Sequence, residues 1–128
     1  MSLSTNSQPL IAHVIFDAQE SHTGRFDGLK LATALGLTVA EMARYLEVSD
    51  SALRKTPNSS NYQKKLMQLS IIAQRLKALL DNSLEYSRIW LRAPHPDLDY
   101  QAPIDCILEG DVQSVNDLLE MFERGQTA

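Results

Sequence analysis

Cysteine is nearly absent from this chain of 128 residues: Cys106 stands alone. No intrachain disulfide can form, which points to a reducing compartment. Histidine is scarce too. His13, His22 and His95 lie far apart, without metal-ligand spacing, and Cys106 has no histidine at a recognisable distance. Cys106 sits instead in an apolar helix pattern and fits a small core residue. No glycine motif for phosphate occurs. Asp97 and Asp99 form a carboxylate pair, but no glycine-containing calcium loop follows them. No apolar run approaches the roughly 18 residues needed to span a bilayer. Residues 1–10 lack the basic start and apolar core of a signal peptide. These gaps exclude the recognisable enzyme, metal and membrane classes. The expectation is a soluble cytoplasmic protein that is not an enzyme, with no catalytic set, no metal and no cofactor.

What is present is apolar periodicity. Hydrophobic residues make up 44% of the chain, enough for a sizeable core. The net charge of −4 is unevenly spread: residues 1–92 carry +3 and residues 93–128 carry −7. Such a split suggests two surfaces with different partners. Residues 1–23 are polar apart from Leu10 to Phe16, a run compatible with a strand, a helix turn or an arm that packs on a partner. Phe26 to Leu35 reads as a helix stopped by Gly36. Thr38 and Glu41 form a capping box for the next helix, and Ser49 caps a short one ending at Lys55. Pro57 to Ser60 break the pattern. Tyr62 to Leu80 is the longest helix. Its stripe of Leu66, Leu69, Ala73, Leu76 and Leu80 is widened by Met67, Ile71, Ile72 and Leu79. A helix apolar on several sides is central to a bundle or part of a dimer interface, so a homodimer is expected. Leu84 to Arg92, Pro103 to Gly110 and Asp111 onward complete an all-α helical bundle, with Pro103 and Asp111 as start signals.

The stretch Leu37 to Thr56, LTVAEMARYLEVSDSALRKT, has helix-turn-helix spacing, with Ala43 at the crossing and Met42, Leu46, Val48 and Leu53 as shared core. With the helix before it, this stretch resembles the Xre/Cro-like DNA-binding family over about thirty residues. The usual turn glycine is replaced by Glu47. On this reading Ser49, Asp50, Ser51, Arg54 and Lys55 face operator DNA, and Lys64 and Lys65 add phosphate contacts.

Residues 88–125 contain Trp90-Leu91, a loop from Pro94 to Gln101, Pro103-Ile104, Gly110 and a last amphipathic helix. This order resembles the C-terminal toxin-binding domain of Xre/MbcA/ParS-like antitoxins. His95 and Asp97 to Tyr100 depart from the loop residues usual in that family. The resemblance implies an antitoxin that covers the active site of a RES-domain toxin, a class that consumes NAD, and represses its own operon. It implies toxin contacts from Pro94, His95 and Pro96 and from Asn116, Glu120, Glu123, Arg124 and Gln126. Three segments follow: an arm at 1–25, the helix-turn-helix region with the long helix at 26–82, and the toxin-binding domain at 83–128. The alternative is a stand-alone dimeric regulator whose C-terminal part dimerises or senses a ligand.

Overall fold

The computed structural model describes residues 24–125. Seven α-helices follow one another: α1 Gly28–Leu35, α2 Val39–Leu46, α3 Asp50–Lys55, α4 Gln63–Leu79, α5 Leu84–Arg92, α6 Pro103–Leu108 and α7 Val112–Glu123. Single 3-10 turns precede α4 and sit in the proline loop, at Ser60–Tyr62 and Pro96–Leu98.

Local chemistry sets most boundaries. The α1 helix starts at Gly28, two residues later than its apolar pattern, because the Asp27 carboxylate accepts from the amides of Leu29 and Lys30. Phe26 therefore stands outside the helix. The Gln63 side chain holds its backbone, accepting from Phe26 N (2.7 Å) and donating to Phe26 O (3.0 Å). Gly28 permits a close approach: its N–H reaches Pro57 O at 2.8 Å, and a Cβ there would stand 3.0 Å from Leu53. The Thr38–Glu41 capping box is complete, with both reciprocal bonds formed. Pro103 opens α6, and Asp111 caps α7 by accepting from Ser114 N at 3.1 Å.

The α4 helix lies at the centre of the bundle, packed on α1, α5 and α7, while α2 meets α1, α3 and α6. One apolar cluster runs through the whole assembly, joining Leu31, Met42 and Leu53 to Leu66, Leu76, Leu91, Ile107 and Leu119. Each such fully buried side chain contributes about 1.5–3 kcal/mol. This cluster draws on residues from both the 26–82 and the 83–125 stretches. Of the residues that widen the α4 stripe, Ile72 is buried, whereas Met67 and Ile71 are 47% and 45% exposed.

Two arginines of α5 bind the bundle across long sequence distances. Arg88 donates to Ala34 O (3.0 Å) and Thr33 O (3.3 Å), and Arg92 donates to Gly36 O (2.8 Å). They add donors to carbonyls at the end of α1, where Thr33 O also accepts from Gly36 N at 3.3 Å. Arg92 also forks onto both oxygens of Glu41, at 2.7 and 3.0 Å. No helix among the described residues is long and apolar enough to cross a membrane.

Candidate partner-binding surfaces

The first surface is built on α2 and α3. Ala43 and Leu53 are buried where the helices meet, and Glu47 makes the turn in the left-handed conformation, φ 62°. Its carboxylate receives the Lys65 ammonium at 2.7 Å, and the same ammonium donates to Tyr45 O at 2.9 Å. That pairing holds the Glu47 carboxyl below the usual range. Asp50, Ser51, Arg54 and Lys55 are all exposed on α3, the two cations in its last turn. Ser49 is exposed as well, but its hydroxyl accepts from Ala52 N at 3.1 Å as the cap. Lys64 is exposed. Lys65 is half-buried at the turn, paired there with Glu47 and with Tyr45 O.

The second surface is the proline loop and α7. The loop closes on itself: His95 N donates to Gln101 O (3.0 Å), and Tyr100 N and Leu98 N return to His95 O (2.8 and 3.0 Å). Asp99 and Tyr100 both take positive φ, 55° and 63°, a conformation that costs roughly 1–2 kcal/mol per non-glycine residue. Leu98 is buried and anchors the turn, while Pro94 and Pro96 stay exposed. His95 lies half-buried against two rings, 6.1 Å from Trp90 and 5.6 Å from Phe122; Trp90 and Phe122 are 6.4 Å apart, edge to face. Trp90 thus supports the loop from a half-buried position. The Nδ1 of His95 is buried without a hydrogen-bond partner among the described residues, 4.0 Å from the Asp97 carboxylate.

The outer face of α7 is not free, contrary to the amphipathic pattern. Arg75 of α4 donates to Asn116 Oδ1 and to both oxygens of Glu123, each at 2.9 Å. Glu120 receives Arg124 at 2.6 Å. Val112 and Phe122, expected in the core, are only half-buried, whereas Val115, Leu118 and Leu119 are fully inside. Gln126 falls outside the described residues. Arg75, Arg88 and Arg92 escape a reading of the sequence because each partner lies more than forty positions away.

Between the two surfaces lies a cleft of about 440 Å³, walled by Tyr45, Gln68, Ile71, Val112 and Asn116, with the Lys65–Glu47 pair at its edge. Cys106 is buried under α6, and burial first, then nearby carboxylates, push its thiol pKa up, which disfavours a nucleophile. No cluster of three or more His, Cys, Asp or Glu that could hold a metal occurs among the described residues.

Residues 75–125 match the antitoxin Xre/MbcA/ParS C-terminal toxin-binding domain. A chain in the crystal structure of the M. tuberculosis MbcT-MbcA toxin-antitoxin complex has the same fold, with a TM-score of 0.60 at 21% identity over 79% of this chain and 94% of that one. A comparison with curated proteins gave no match. The likeness to the Xre/MbcA/ParS toxin-binding domain thus lies in the C-terminal part of the chain, residues 75–125.

Proposed function

We propose that this chain is an antitoxin that neutralises a RES-domain, NAD-consuming toxin by covering its active site, and that it represses its own operon as a homodimer through α2 and α3. The observation that carries the reading is the Trp90–His95–Phe122 contact within the matched segment. It locks the proline loop onto α7, so loop and helix present one preformed face, and preformed faces lose less entropy on binding. Pro94, His95 and Pro96 form one edge of that face. Glu120 and Arg124 form the other, with Asn116 and Glu123 held in place by Arg75. The net −7 of residues 93–128 suits a toxin pocket built to attract a negatively charged nucleotide. The exposed Arg54 and Lys55 suit phosphate contacts.

Co-expression with a RES-domain toxin tests the reading. Expected are co-purification, restored growth and preserved cellular NAD. Truncation after Arg124 keeps Phe122 and Glu123, and so keeps the fold, while removing the tail. Rescue should be lost in that variant if the tail enters the active site. Full rescue would move the inhibitory contact to the proline loop. A chain that neither binds nor rescues supports the stand-alone regulator instead.

A further inference from the structure

Tyr86 and Ile89 stand one turn apart on α5, both more than half exposed. Ala93, exposed at the C-cap, continues their line. Two charges flank it. Glu85 and Arg92 are seven positions apart, so they fall within about 20° of each other around the helix, on the side next to Ile89. Both are exposed. About 10 Å of helix axis separates them, too far for a pair within one chain. Glu85 forms no ion pair among the described residues. Arg92 binds Glu41 and Gly36 O, yet its side chain is 45% exposed. A guanidinium carries five N–H donors, so donors remain for a second carboxylate.

We propose that this line is the seam between two copies of the chain, α5 against α5 in antiparallel, with Glu85 of each copy docked on Arg92 of the other. The inference rests on the homodimer of the reading above and names its interface. A two-fold axis that reverses the helix direction sets the same flank of both helices side by side, run in opposite senses. Glu85 of one copy then meets Arg92 of the second, and the contact occurs twice. In a parallel pair that flank would meet the opposite one, which carries Ser83 and Trp90 and no charge. The apolar line matches itself in the same arrangement: Ile89 packs on Ile89 near the axis, and each Tyr86 covers Ala93 of the second copy. The apolar anchors supply affinity, while the charges fix partner and direction. Met67 and Ile71 on α4 lack such a pattern, because α4 has no Asp or Glu to answer its exposed Lys64. The seam also reaches the helix pair α2 and α3, since the same Arg92 holds Glu41 in the capping box of α2.

Sedimentation equilibrium on the full chain tests this. The parent should show the mass of two chains. Tyr86→Glu, Ile89→Glu should raise the dissociation constant on the order of a hundredfold, about tenfold for each anchor. Both side chains are exposed, so the helical signal should stay. Glu85→Arg should weaken the dimer about tenfold, since the new cation would face Arg92. Ile89→Cys should give a linked dimer on mild oxidation and Met67→Cys should not; Cys106 is buried and does not compete. A dimer unmoved by Tyr86→Glu, Ile89→Glu overturns the seam and leaves the homodimer standing. So does linking through Met67→Cys but not Ile89→Cys, which would give the α4 side to the second copy. A dissociation constant unchanged by Glu85→Arg overturns the antiparallel pairing. A parent chain of single mass overturns seam and homodimer together, and loss of toxin binding in Tyr86→Glu, Ile89→Glu would then give the line to the toxin.

Discussion

Glu41 shows how much one carboxylate does in this fold. It closes the capping box of α2 and anchors Arg92 of α5. The bond from Arg92 is the main cause that lowers its pKa to about 2. A carboxyl depressed in the folded state stabilises the fold above its unfolded pKa, and that contribution fades as pH falls through the folded one. The Glu41→Gln variant should therefore lose about 1 kcal/mol at neutral pH, a figure kept low because Arg92 is well solvated. The gap between variant and parent should close between about pH 4.5 and pH 2, as followed by urea titration. A gap that persists at the acid end would assign the loss to packing rather than charge. At Glu47 the left-handed backbone is the disadvantage. Glu47→Gly should raise Tm, since glycine removes the steric cost and the lost Lys65 pair is a solvent-exposed one. A lower Tm in a thermal scan would show that the Lys65 bridge outweighs the backbone.

Among the elements, α7 has the most tasks. Val115, Leu118 and Leu119 bury it, Arg75 pins Asn116 and Glu123 to α4, and Phe122 meets the loop. Phe122→Ala should cost about 2 kcal/mol, below the range for a fully buried phenylalanine because this one is half-buried. It should also free the loop, seen as a shift in Trp90 fluorescence and faster exchange at Leu98 and Gln101. Unchanged loop exchange would mean that the internal bonds of the loop hold it without α7. The short α3 is simpler. If Arg54 and Lys55 meet DNA, changing both to Ala should abolish a gel shift of the upstream region and leave toxin rescue intact. An unchanged shift would exclude α3 as the contact.

For the whole molecule the open quantity is the number of copies. Among the described residues, pairs of large apolar side chains are exposed on two helices, Met67 and Ile71 on α4 and Tyr86 and Ile89 on α5. Tyr86 and Ile89 are the more exposed pair, 57% and 59%, so we place the expected dimer interface on α5. Light scattering at micromolar concentration should give twice the mass of one chain, and Tyr86→Glu, Ile89→Glu should halve it. A parent chain of single mass with an undiminished Tm would dismiss the dimer.

Sequence alone determined what depends on neighbours a few residues apart. The Thr38–Glu41 box, the Ser49 and Asp111 caps, the Pro103 start and the limits of α5 follow from hydrogen bonds and φ preferences spanning three or four positions. The family order was legible because it is an order of such local signals along residues 88–125. Tertiary structure decided the rest. Periodicity made the outer side of α7 look free, but Arg75, 41 and 48 positions away, occupies Asn116 and Glu123. It gave no sign of the partners of Lys65, whose ammonium the fold brings to 2.7 Å from the Glu47 carboxylate and 2.9 Å from Tyr45 O. It could not tell Ile72 from Ile71, because the wide apolar stripe of α4 leaves open which flank its neighbours cover. A helical period fixes the angle between residues on one cylinder; which cylinder comes to lie against it is settled only when the bundle closes.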